Sequence, residues 1–131
     1  MVSPDKRQTQ KNRHFGQAFY HAIVGIGTVI KNERNMRSHL VSATFVVVAG
    51  FILHVNLNAW CWLTLAIALV WFAEFLNTVI EAIVNLIVGE KFDPNAKIAK
   101  DVAAGLVLLA AGLAVIIGLL VLTPYLIKFL K

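Results

Sequence analysis

The sequence predicts an all-α integral membrane protein, with an N-terminal amphipathic surface helix followed by three transmembrane helices. Three observations lead there. The apolar fraction is 59% and the mean hydropathy is +0.75, whereas soluble domains are about 45–50% apolar. Three long apolar runs follow a polar start. Seven basic residues (Lys6, Arg7, Lys11, Arg13, Lys31, Arg34 and Arg37) all precede the first run. That bias marks a segment held near anionic lipid on the cytoplasmic side of a membrane.

The elements follow in order. Residues 1–14 are polar and read as a disordered N-terminus; a single membrane domain covers 15–131. The surface helix is expected over about 15–37. Phe15, Phe19, Ala22, Ile23, Ile26 and Ile30 recur there at a helical period, in a stretch too polar to span. Transmembrane helices are expected over about 38–55, 57–89 and 102–130. A hydrocarbon core of about 30 Å needs roughly 20 helical residues, so the first run is barely long enough and the second exceeds the requirement. Pro124 is expected to kink or fray the end of the third, and Pro94 to break helix in the charged connection 89–101. The turn at 54–59 carries no Asp, Glu, Lys or Arg. The basic bias therefore places the N-terminus and the 89–101 loop in the cytoplasm, and this turn outside.

Several classes are excluded. The net charge of +5 comes with no nucleic-acid recognition motif. Cys61 is the single cysteine and supports neither an internal disulfide nor a metal framework. His14, His39 and His54 lack metal-ligand spacing and read as interfacial. No phosphate-binding loop of the GxxxxGK[ST] type and no soluble-kinase catalytic loop occurs.

The second apolar run poses the chemical question. Within AEFLNTVIEAIVNLIVGE (73–90), Glu74, Asn77, Glu81 and Asn85 are spaced to lie in one stripe of a helix. Carboxylates in a membrane segment face protein or water and mark function. A stripe that only joins helices would explain the asparagines, but amides would do that work at lower desolvation cost than carboxylates. An ion pathway would need polar residues through the other half of the run, and AWCWLTLAIALVWF (59–72) offers almost none. Glu33, in KNERNMRSH (31–39), reads by itself as a solvated charge among basic neighbours. Taken with Lys97, Lys100 and Asp101 at the start of the third run, the inventory at one membrane face is carboxylates, lysines and an arginine. Carboxylates suit Mg²⁺ bridging substrate phosphates, and Lys and Arg suit phosphate oxygens. Phosphoryl transfer uses that set.

EFLNTVIEAIVNLI (74–87), NERNMRSHL (32–40) and KIAKDVAAG (97–105) together resemble the small prokaryotic diacylglycerol kinase family, which includes undecaprenol kinases. The family signature E-x-x-N-[ST]-x-x-E-x-x-[VI]-D is met at Glu74, Asn77, Thr78 and Glu81, and the resemblance extends over about residues 15–125. It implies a homotrimer with composite active sites that transfers the γ-phosphoryl of ATP to a lipid hydroxyl. On that resemblance Glu74 is the catalytic base, and Glu33 and Glu81 hold the Mg²⁺ of Mg–ATP. Asn77 supports the site near Glu74, and Arg37 lies near lipid and phosphate. Lys100 and Asp101 contact the nucleotide, and Glu90, Lys91 and Phe92 occupy the adenine-side loop. Two positions depart from the pattern. Asn85 replaces the signature aspartate, and His21 stands where members often carry a tyrosine near the base. The E-R-N-x-R-x-H-L stretch from Glu33 to Leu40 looks more like the undecaprenol kinases of Gram-positive bacteria, with diacylglycerol as the alternative acceptor.

Overall fold

A computed structural model describes residues 14–89 and 91–131. Four helices follow one another: α1 (Phe15–Asn32), α2 (Arg34–Ile52), α3 (Leu57–Val88) and α4 (Pro94–Phe129). The last three are long and apolar enough to cross a membrane. At 1.5 Å per residue they are about 28, 48 and 54 Å long. α2 therefore matches a hydrocarbon core of about 30 Å, while α3 exceeds it by about 18 Å, or some 12 residues.

The boundaries differ from those read in the sequence, each for a local reason. α1 ends at Asn32, five residues before the expected 37, because Glu33 turns extended (φ −89°, ψ 117°) and caps both helices. No Pro or Gly occurs between Asn32 and Ser38 to announce that break. α4 begins at Pro94 rather than near 102. Pro94 starts this helix instead of ending one, since a first-turn residue needs no N–H partner. Asp93 caps it, its Oδ1 accepting from the backbone N–H of Asn95 (2.8 Å) and Ala96 (3.0 Å). α4 also runs through Pro124 to Phe129.

A short turn joins α2 to α3. His54 adopts a left-handed φ of 50°, and the Asn56 side chain caps α3 by accepting from the Ala59 N–H at 2.9 Å. Val55, Ala59 and Leu63 are buried there, against Val46, Leu53, Trp60, Val121, Leu122 and Tyr125. The Asn56 N–H also reaches the Tyr125 hydroxyl at 3.4 Å. The Trp60 ring lies over Gly50 so closely that a Cβ there would come within 2.7 Å of it; only glycine lets the backbone approach that far. α3 and α4 form the most extensive helix pair, antiparallel, while α2 packs on α3 and α1 on α2.

This arrangement sets the level of the polar stripe. Counted from the turn, Glu33 is 20 residues back from Leu53 and Asn77 is 20 residues on from Leu57. Both distances correspond to about 30 Å of helix. The α1–α2 junction and the stripe on α3 therefore fall at the same height.

Candidate active site

Glu74 is fully buried, with 0% of its surface exposed, and Asn77 is 6% exposed. They are the only buried polar residues among those described. Their neighbours on α3 are Ala73, Val70 and Val84, the inward face of the helix. One turn along, Thr78 donates its hydroxyl to the Glu74 carbonyl at 3.0 Å. Asn77 donates Nδ2 to Glu81 Oε1 at 3.3 Å. The i, i+4 spacing thus links the stripe along one face.

Both carboxylate oxygens of Glu74, and Oδ1 of Asn77, are buried acceptors that meet no hydrogen-bond donor among the described residues. Leaving such an acceptor unmatched costs about 1–3 kcal/mol, more for a charged group. His39 on α2 approaches Glu74, with Nε2 4.0 Å from Oε2, beyond hydrogen-bond length. Glu33 caps α1 and α2 at the height of the stripe, and Glu81 lies on the stripe beside Asn77. The α1–α2 junction and α3 therefore bring these carboxylates to one end of the bundle.

Across the hairpin, Lys100 on α4 donates Nζ to Asn85 Oδ1 at 2.6 Å. Asp101 pairs with Lys97, one turn back on the exposed side of α4. Arg37 donates Nη1 to the Lys31 carbonyl at 2.7 Å, bracing the junction beside Glu33. Lys91 and Phe92 are exposed in the α3–α4 connection, and Glu90 lies outside the described residues. His21 packs edge-on against Tyr20 (ring centroids 5.6 Å apart), and its buried Nε2 has no hydrogen-bond partner among the described residues.

An apolar cavity of about 640 Å³ runs between α2, α3 and α4. Ser42, Val46 and Ala49 line it from α2, Leu63, Val70 and Trp71 from α3, and Ala114, Gly118 and Leu122 from α4. His39 lies in its wall, so the cavity and Glu74 share a neighbour. In the sequence His39 reads as interfacial; its approach to Glu74 comes from packing between helices, which no spacing along one chain segment reports. The inclusion of His39 in the segment NERNMRSHL (32–40) was the one available signal.

Among the described residues no group of three or more His, Cys, Asp or Glu side chains could hold a metal by itself. A Mg²⁺ ion bound to a nucleotide does not need one, because it takes one or two carboxylates and completes its shell with phosphates and water. Glu33 and Glu81, both partly exposed carboxylates at one end of the bundle, fit that donor set.

A profile of the prokaryotic diacylglycerol kinase family matches residues 20–122. A diacylglycerol kinase from Synechocystis sp. is 41% identical over 113 residues, covering 86% of this chain and 65% of that protein. The chain thus spans just under two thirds of that relative's length. An undecaprenol kinase from Bacillus subtilis is 40% identical over 124 residues, covering 95% of this chain and 98% of that protein.

Proposed function

Since the chain belongs to the prokaryotic diacylglycerol kinase family, a family of membrane lipid kinases, we propose that it transfers the γ-phosphoryl group of ATP to the hydroxyl of a membrane lipid alcohol, with Glu74 as the base. The observation that carries this is the Glu74 carboxylate itself. It is completely enclosed, both its oxygens lack donors among the described residues, and it adjoins an apolar cavity through His39. An alcohol O–H at the head of an apolar tail supplies the missing donor.

In this reading the lipid hydroxyl donates to Glu74, which takes the proton as the alcohol oxygen bonds to the γ-phosphorus. The bond from that phosphorus to the bridging oxygen breaks, and ADP leaves. Asn77 steadies Glu81 through its Nδ2 donor. Glu33 and Glu81 would hold Mg²⁺, which when bound would offset the charge of the phosphate oxygens. Lys100 faces the nucleotide phosphates from α4, with Asp101, Lys91, Phe92, Glu90 and His21 on the nucleotide side and Arg37 toward lipid and phosphate. α3 supports this division of labour. If the α2–α3 turn sits at one boundary of a core about 30 Å thick, the core ends near residue 76. Glu74 then lies at the level of a lipid headgroup, and Glu81 and Asn85 stand beyond it, among polar partners.

The acceptor we propose is undecaprenol. The two relatives are equally identical to the chain, but the undecaprenol kinase matches it almost end to end. Diacylglycerol is the second reading, favoured by the Synechocystis relative's name. α1 lies on the cytoplasmic surface of the membrane, its Phe15, Phe19, Ile23 and Ile26 side chains exposed for that contact, and the chain functions as a homotrimer. The test is transfer of label from γ-labelled ATP by purified protein in mixed micelles, with Mg²⁺ and a panel of lipid alcohols. Labelled undecaprenyl phosphate is expected above labelled phosphatidic acid. Labelling of no lipid would overturn the reading, and preferential labelling of diacylglycerol would replace the acceptor.

A further inference from the structure

A base that takes a proton in every catalytic cycle must also return it. Glu74 has no exposed surface through which to do so. The titratable and charged groups acting on it are His39 from α2, Glu33 from the α1–α2 junction and Glu81 from its own helix. Of these, His39 has Nε2 4.0 Å from the Glu74 Oε2, and its side chain is 22% exposed. Its ring thus reaches from the enclosed carboxylate to the exposed surface of the chain. Asn77, the other buried polar group, is tied to Glu81 and carries no titratable proton. The backbone carbonyl of Glu74 is occupied by the Thr78 hydroxyl.

We propose that His39 is the proton-return residue of the site. This rests on Glu74 being the base. After phosphoryl transfer Glu74 is a carboxylic acid. A side-chain rotation closes the 4.0 Å gap, the Glu74 O–H breaks, and the proton bonds to the lone pair of His39 Nε2. The ring releases the proton on Nδ1 to water, so one proton enters from the lipid alcohol and one leaves to solvent. Glu74 is again a carboxylate, and the ring recovers its first tautomer by exchange with water.

A return path is needed for turnover but not for the first transfer, because Glu74 begins each cycle able to accept one proton. That distinguishes this role from a packing role. Single-turnover and steady-state lipid phosphorylation are measured for wild type, His39→Ala, His39→Gln and Glu74→Gln, each checked for the wild-type elution volume in detergent. His39→Ala is expected to keep a first-turnover burst of about one product per site. Its steady-state rate falls at least about tenfold, and added imidazole restores it in a concentration-dependent way. His39→Gln, which keeps size and hydrogen bonding but carries no titratable proton, behaves like His39→Ala. A steady-state rate within twofold of wild type in either variant, loss of the burst together with turnover, or no response to imidazole would overturn the proposal. Glu74→Gln should lose burst and turnover alike. If it keeps the burst, Glu74 is not the base and the underlying reading fails, whatever His39 does.

Discussion

Asn85 accepts from Lys100 Nζ at 2.6 Å across the α3–α4 hairpin, so an aspartate at this position would meet the same cation. Asn85 is exposed and Lys100 partly so, and such pairs are worth about 0–1 kcal/mol, at most about fivefold in an equilibrium. Asn85→Asp is therefore expected to leave turnover within about fivefold of wild type, or to raise it slightly. Complete loss would show that Lys100 is needed free of a carboxylate. Glu81→Ala should act differently, weakening metal–nucleotide use. The expected outcome is a rise of at least about tenfold in the Mg²⁺ or ATP concentration for half-maximal rate, read from two-substrate kinetics. An unchanged dependence would remove Glu81 from the metal site. At this scale the α3 stripe was legible because Glu74, Asn77 and Glu81 sit on one segment, where helical spacing alone aligns them. His39 was not legible, because its approach to Glu74 exists only once α2 packs on α3.

The helices explain their own lengths and junctions. α3 is too long for a bilayer by about 12 residues, and that excess is what carries Glu81 and Asn85 past the expected hydrocarbon boundary. The tight α2–α3 turn is anchored where Trp60 covers Gly50 and packs against Phe51 (centroids 4.9 Å apart). A methyl at Gly50 would meet the rigid indole at 2.7 Å, and overpacking of this kind costs about 1–3 kcal/mol. Gly50→Ala should lower the temperature at which purified protein loses activity, with little change in turnover at low temperature. Equal thermal inactivation of variant and wild type would mean the ring moves aside freely. The three apolar runs were legible from hydropathy. Their ends were less so. The break at Glu33 has no Pro or Gly to signal it, and Pro94 carries opposite meanings before and inside a first turn. Pro124 does not end α4, which runs past it to Phe129.

At the scale of the molecule, α4 carries the most apolar membrane span and one of the least covered, and the α3 stripe lies at one end of the bundle. Lipid can cover α4, but Glu81 and its neighbours need polar company, which we assign to a homotrimer. Crosslinking in detergent should therefore give a trimer as the largest major product, and monomer alone at saturating reagent would contradict it. The reaction we propose turns on one residue, Glu74, as the base for phosphorylation of a lipid alcohol. Glu74→Gln preserves shape and hydrogen bonding but cannot take the proton. The most direct measurement pairs steady-state lipid phosphorylation with ATP binding by calorimetry for wild type and Glu74→Gln. Turnover is expected to fall by roughly 10²-fold or more, with nucleotide affinity nearly unchanged. Near-normal turnover, or loss of turnover together with loss of ATP binding, would contradict it.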